Sequence, residues 1–223
     1  VVEWYRLPKA PRVLGHEATG IIAETGKNVT KYKVGDRVFV SHHVPCNKCC
    51  YCNKDAHTAC ETLHTTNYYP GGFSQYIRVP KINIETGVYT LPADMSYEEG
   101  TFIEPLACAV RGQRLADINQ CDTVLVIGSG MAGILHIQLS KMKGVQKVFA
   151  ADISPDRLEL AKKFGADHLI DANDDLPIQL KKLNNGKGVD KVIVCTGATK
   201  AALTALDCVD RGGTILFFAV PDP

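Results

Sequence analysis

The sequence predicts an α/β protein in two parts, a β-rich front and a back half that forms a doubly wound parallel sheet. Three observations carry this. Residues 13–110 hold short strand-like runs punctuated by glycine. From Thr123 onward, continuous apolar runs of strand length alternate with helical patterns, as a sheet covered on both faces requires. Between Cys46 and Tyr69 lies a stretch with no periodicity and four regularly spaced cysteines.

Strands are expected over 18–24, 36–40 and 72–79. The turns between them are marked by Gly26-Lys27-Asn28, Gly35-Asp36 and Pro70-Gly71-Gly72. Residues 97–115 read as helical, with Pro105 interrupting the pattern and starting a new helix at Leu106. Then come strand 123–127, helix 131–142, strand 148–151, helix 155–164 and strand 168–170. A weak helix over 176–183, strand 191–195, helix 200–208 and strand 214–220 complete a sheet of five strands.

At 223 residues the chain has room for one or two domains. Hydrophobic residues make up 45% and charged residues 22%, an ordinary globular balance. Net charge is +1, from 25 basic and 24 acidic side chains, with no basic face to track a phosphate backbone; a nucleic-acid partner is not expected. No apolar run has membrane-spanning length, and the N-terminal stretch lacks the basic-then-apolar pattern of a signal peptide. Nine cysteines, an odd total with one dense cluster, fit a reducing compartment better than a disulfide framework, which predicts a cytoplasmic protein. Cys108, Cys121, Cys195 and Cys208, scattered through apolar segments, read as buried reduced thiols.

Cys46, Cys49, Cys52 and Cys60 are spaced C-x2-C-x2-C-x7-C. Thiolates at that spacing close a tetrahedron around one soft divalent ion, so the expected occupant is a structural zinc. The rival is a redox pair, but redox C-x-x-C motifs start a helix after a strand, and this run lies in an irregular lobe. Regular spacing favours Cys49 over its neighbour Cys50. Four protein ligands leave no open position for chemistry.

Gly128-Ser129-Gly130-Met131-Ala132-Gly133 is G-x-G-x-x-G after an apolar strand and at the start of a helix. Gly128 allows the tight turn, Gly130 a close approach of pyrophosphate, and Gly133 the packing of helix on strand. The pyrophosphate is expected on the helix N-terminus, where backbone N–H groups and the dipole favour an anion. Asp152, 19 residues after Gly133, is placed to accept the ribose hydroxyls of NAD and to repel the extra phosphate of NADP. Arg157 leaves two roles open, contact with the adenosine ribose or with a 2′-phosphate.

His16 and Glu17, in Gly15-His16-Glu17, are candidates for a second, catalytic zinc. Glu104, an acid in the apolar run Phe102-Ile103-Glu104-Pro105-Leu106, is either a third ligand or a carboxylate favoured by a helix N-terminus. His42 and His43 would point to opposite faces of a strand and are expected to be non-ligands.

Taken together, Gly15-His16-Glu17, the cysteine lobe, Gly71-Gly72-Phe73, Glu104-Pro105-Leu106 and the dinucleotide fingerprint, in that order, resemble the zinc-containing medium-chain dehydrogenases. The Glu-Pro-Leu motif is most similar to the sorbitol, threonine and butanediol dehydrogenase branch. The resemblance implies a GroES-like catalytic domain over 1–107, its zinc lobe at about 44–69, and a Rossmann domain over 108–223. It implies that His16 and Glu104 are catalytic zinc ligands, with Glu17 a ligand or a tuning neighbour, and adds Thr196 and Val220 to the cofactor-binding set. The implied activity is NAD-dependent oxidation of a secondary alcohol or polyol by a homo-oligomer, a dimer or tetramer. The family's catalytic cysteine and serine or threonine relay lie upstream of the Gly-His-Glu, and its last Rossmann strand lies beyond Val220. The chain is therefore expected to be a portion of a longer protein. Alternative readings are a zinc-free quinone or enoyl reductase of the same fold, and a non-catalytic nucleotide-binding zinc protein.

Overall fold

The computed structural model describes residues 13–220. The N-terminal stretch read for a signal peptide lies almost wholly outside that range. The chain folds as two compact units that divide between Glu104 and Pro105.

The first unit is built on a three-stranded antiparallel sheet of β1 (Glu17–Ile21), β2 (Arg37–Ser41) and β3 (Val88–Thr90), in that order. Glu17 pairs with Ser41 and Val38 with Thr90, so the central strand is β2, and its Val38, Phe39 and Val40 are buried. Tyr32, Val38, Val40, Tyr68 and Val88 form the core of this unit. The lobe after β2 is mostly irregular, with single helical turns at Cys52–Lys54 and His57–Ala59 and a five-residue helix α1 (Glu61–Thr65). A further short helix, α2 (Lys81–Thr86), precedes β3.

One expected strand is absent. Residues 72–79 make only an isolated bridge, Tyr69 to Arg78, and no strand among the described residues. The cause lies in the two glycines. The Gly72 N–H donates to the Gly15 carbonyl at 2.9 Å and the Phe73 N–H to the Leu14 carbonyl at 2.9 Å. A Cβ on Gly71 would stand 2.2 Å from the Val13 carbonyl oxygen. The alternating side chains that suggested a strand instead follow a backbone clasp that only glycine permits.

Helix α3 (Tyr97–Thr101) starts at a capping box in which Ser96 and Glu99 exchange side-chain and backbone bonds. Helix α4 (Ile103–Leu115) follows and crosses the boundary between the units. It begins at Ile103 and not at Leu106, because Pro105 falls in its first turn, where a missing N–H costs nothing.

The second unit is a five-stranded parallel sheet of β4 (Thr123–Ile127), β5 (Lys147–Asp152), β6 (His168–Asp171), β7 (Val189–Val194) and β8 (Val209–Phe217). The order is β6-β5-β4-β7-β8. Alternate residues feed two cores. Leu125, Ile127, Phe149, Ala151, Val192 and Val194 face one side, with α7 (Leu176–Leu183) and α8 (Thr199–Cys208) contributing Leu176, Leu180 and Ala205. Val124, Val126, Val148, Ala150 and Ile193 face the other, with Ile137 of α5 (Met131–Met142) and Ala161 of α6 (Pro155–Lys163). Burial on both faces is why these strands read as continuous apolar runs. Two of the thiols expected to be buried are not: Cys108 on α4 and Cys121 before β4 are exposed, while Cys195 is half-buried and Cys208 buried.

Candidate functional site

The lobe brings its four spaced cysteines together. One sulfur from each of Cys46, Cys49, Cys52 and Cys60 lies within 4.8 Å of all the others. The Cys46–Cys52 and Cys49–Cys52 sulfurs stand 3.9 and 3.5 Å apart. Four sulfurs about 2.3 Å from one ion in a tetrahedron would be about 3.8 Å apart, so the group fits zinc. Cys50 is exposed and outside the group. The backbone turns tightly here, with Asn47 and Asp55 both at φ 56°, a conformation these two residue types tolerate well. Amides shape the charge. The Cys46 N–H donates to the Cys60 sulfur at 3.4 Å and, with the Leu63 amide, holds the Cys60 thiol down at about 6. The Lys48 amide lowers Cys46, whereas burial, with Cys49 beside it, pushes Cys52 up to about 12. A full set of four thiolates therefore needs a cation at its centre.

A second donor group is formed by His16, Glu17 and Glu104, one ligand atom of each lying within 4.8 Å of the others. His16 Nε2 is 3.9 Å from Glu104 Oε2. The clasp of Gly72 and Phe73 on Leu14 and Gly15 fixes the chain just before His16, and Gly15 sits at φ +93°. Glu17 opens β1. Thr19 Oγ1 donates to the Tyr97 carbonyl at 3.0 Å, and the Arg37 guanidinium donates to the carbonyls of Ala93 and Met95, tying α3 to the sheet. Glu104 arrives one turn further, in the first turn of α4. Glu104 thus lies in the first turn of a helix and also belongs to the donor group. Three N/O donors of this kind suit a divalent ion with positions left open.

His42 and His43, expected to be non-ligands, are not members of this donor group, although His42 stands beside it. His42 and His43 fall just past the end of β2, so strand alternation does not apply, and their rings lie 4.0 Å apart, tilted by 40°. His42 also meets the His16 ring at 4.8 Å. Burial first, then the charges of His43 and His16, lower His42 to about 4. Burial first, then His64 and His16, lower His43. Tyr68 is 2% exposed, and its hydroxyl and His42 Nδ1 are buried with no partner among the described residues. Nothing in the local sequence marks Tyr68, since its partners come from segments far along the chain.

In the second unit, Gly128 to Gly133 join β4 to α5. Gly128 has φ +95°, and a Cβ there would press on the backbone of Cys195. A Cβ on Gly133 would stand 1.9 Å from the Gly128 carbonyl oxygen. Around a Cβ on Gly130, by contrast, nothing described lies within 4 Å, and no described side chain caps this helix start. The turn is closed where helix meets strand and open where an anion would approach. Ser129 and Ala132 lie within the turn and first helical residues, and Met131 is exposed. Asp152, at the end of β5, is 5% exposed and braces this turn: Ser129 N–H donates to Oδ2 at 2.7 Å and Ser154 N–H to Oδ1 at 2.9 Å. Arg157 Nη1 lies 3.9 Å from Asp152 Oδ2. Thr196 follows β7, beside Gly128, and Val220 is exposed just past β8. All these residues lie at the carboxyl ends of the strands, where the order switches from β5-β6 on one side of β4 to β7-β8 on the other.

Comparison with known proteins agrees with both halves. Residues 1–92 match the alcohol dehydrogenase GroES-like domain, and residues 132–223 match the zinc-binding dehydrogenase domain. The chain is 36% identical over 216 residues to a probable D-xylulose reductase A of Aspergillus clavatus, covering 92% of this chain and 58% of that protein. It is 33% identical over 214 residues to the sorbitol dehydrogenase of Bacillus subtilis, covering 95% of this chain and 60% of that one. A solved zinc-dependent alcohol dehydrogenase 2 from Streptococcus pneumonia superposes with a TM-score of 0.87 at 28% identity, covering 98% of this chain and 64% of that chain. The chain thus spans about three fifths of the length of these relatives. The motifs, the two folds and the matches agree that this chain belongs to the zinc-containing alcohol dehydrogenases of the medium-chain dehydrogenase family.

Proposed function

We propose that the chain is part of an NAD-dependent zinc dehydrogenase that interconverts a secondary alcohol, of the polyol, threonine or butanediol kind, and its ketone. The reading is carried by one observation: an open three-donor group, His16, Glu17 and Glu104, stands in the same chain as a glycine turn shaped for a dinucleotide. Zinc in that group would polarise the alcohol, and the nicotinamide would accept its hydride.

The chain's own residues have separable tasks. His16 and Glu104 hold the catalytic ion, with Glu17 as a further ligand or tuning neighbour. Cys46, Cys49, Cys52 and Cys60 hold a structural zinc that orders the lobe. The Gly130–Gly133 turn and the start of α5 receive the pyrophosphate, with Ser129, Met131 and Ala132 alongside. Asp152 accepts the adenosine ribose, Arg157 flanks it, and Thr196 and Val220 line the nicotinamide side. Residues to about 107 then form the catalytic domain and 108–223 the nucleotide domain, close to the division at Glu104. Four thiolate donors speak against a zinc-free reductase.

The reading includes a cytoplasmic homodimer or homotetramer acting on a small molecule. Its support is that none of the nine cysteines is in a disulfide and that α8 and β8 expose Leu203, Leu206 and Phe217.

The test is NAD reduction with sorbitol, xylitol, 2,3-butanediol and threonine, using the protein and its Glu104→Ala variant. Turnover with at least one, cut by orders of magnitude in the variant with the fold intact, is expected. Near-normal turnover in the variant would leave Glu104 as a helix-start carboxylate alone.

A further inference from the structure

We infer that Tyr68 is a positioning residue whose hydroxyl donates a hydrogen bond to the Glu17–Glu104 carboxylate pair when a divalent cation occupies the centre. This rests on the proposed reading of His16, Glu17 and Glu104 as a cation site. The ring of Tyr68 is packed in the core of the first unit with Tyr32, Val38, Val40 and Val88. Its hydroxyl has no accessible surface and no partner among the described residues. The other core tyrosine differs: Tyr32 spends its hydroxyl on the Val88 carbonyl at 2.6 Å. A buried hydroxyl normally finds an acceptor, so the orphan on Tyr68 marks a bond made in another state of the site.

The surroundings say which acceptor. Ala18, the residue after Glu17, packs on the same core cluster as the Tyr68 ring, and the charged groups that act on Tyr68 are Glu104 and Glu17. A phenol O–H can donate, and carboxylates are acceptors only. The backbone cannot swing the ring elsewhere. Tyr68 N–H donates to Asn67 Oδ1 at 2.8 Å, and Tyr69 exchanges backbone bonds of 3.0 and 2.7 Å with Arg78. Two residues earlier, Thr66 Oγ1 accepts from the Val44 N–H at 2.9 Å and donates to the Val44 carbonyl at 3.1 Å. Motion is left to the carboxylates. A cation that draws Glu17 and Glu104 toward His16 fixes their outer oxygens, and carboxylates that ligate a metal are commonly held by such an outer donor.

The test is the zinc affinity of each centre in the wild type and in Tyr68→Phe, by competition with a chromophoric chelator. The variant keeps the ring and loses only the hydroxyl. Expected are a second zinc held about 10–100-fold more weakly, an unchanged four-thiolate zinc, and no loss of thermal stability in the metal-free protein. Adding Glu104→Gln should shrink the effect of Tyr68→Phe, because the acceptor has lost its charge. Equal affinity for the second zinc in wild type and variant would overturn the role of Tyr68 while leaving the cation site standing. A wild type that takes up one zinc only would remove the site and the inference with it. Were the variant not to fold, tyrosine difference absorbance of the wild type decides: a perturbed tyrosine on binding the second zinc supports the bond, and an unperturbed spectrum contradicts it.

Discussion

The two units of this chain reach order by opposite routes. In the second, all five residues of β4 are buried, and apolar side chains fill both faces of the sheet. In the first, only the middle of β2 is fully buried among strand residues apart from Val88, and the lobe beyond it buries little besides Val44, Cys52, Cys60 and Tyr68. A region with so few apolar contacts needs another source of cohesion, and on the proposed reading a metal whose binding energy is folding energy would supply it. The difference also separates the chemistry. On the proposed reading, soft, closed thiolate ligation would staple the lobe, while the hard, open group of one imidazole and two carboxylates would be left to act on a substrate.

The largest effect that would break this contrast is expected from Cys60→Ser. It should release one zinc and cost several kcal/mol, because structural zinc sites contribute binding energy on the order of 10 kcal/mol to folding. Amide exchange should rise across the lobe at residues 44–69 while β4 and β5 stay protected. Exchange rising equally in both units would show that the zinc serves the chain as a whole.

A smaller effect belongs to the second unit. His136 on α5 is fully buried, and burial lowers it from 6.5 to about 4. Its neighbours are protein groups: Gln113 Nε2 donates to the His136 carbonyl and to Ser140 Oγ, both at 3.0 Å, and Phe218 packs edge-on at 4.5 Å. Between pH 6.5 and 4 the unfolded chain binds the proton and the folded one does not, so stability falls as pH falls through that window. The loss should be on the order of 3 kcal/mol when complete. Denaturant titrations of wild type and His136→Leu at pH 7 and pH 4 check it. An equal drop in both would assign the acid sensitivity to other groups.

The smallest effect, about tenfold, is expected on cofactor choice. Asp152→Ala should weaken NAD more than NADP, measured by fluorescence titration of the reduced forms. Because Asp152 also bonds the Ser129 and Ser154 amides, some loss with both cofactors is expected. Equal losses would confine Asp152 to bracing the turn.

The second unit was the more legible in sequence because its elements are local and periodic. Helices α5 and α7 have the bounds that the apolar pattern predicts, and only β8 departs much, starting at Val209 ahead of the expected 214. In the first unit the cysteine spacing was clear, since fixed short separations map directly onto one coordination shell. The strand over 72–79 failed because alternation is blind to a backbone partner at Leu14 and Gly15. Tyr68 and His42 were illegible for a related reason. What makes them unusual is a missing bond, and that depends on how distant segments of the first unit pack in space. The brace that Asp152 makes was hidden likewise, because the ribose motif names its end use and not its resting partners.

The central claim is that one chain holds two metal centres of unlike character. Zinc stoichiometry during stepwise chelation, with wild type, Cys60→Ser and Glu104→Ala side by side, tests it most directly. Two zincs per wild-type chain are expected, the first removed by a weak chelator without change in lobe protection and the second only with loss of it. Glu104→Ala should lack the weak one and Cys60→Ser the tight one. A single class of zinc, or a weak site untouched by Glu104→Ala, would contradict the account.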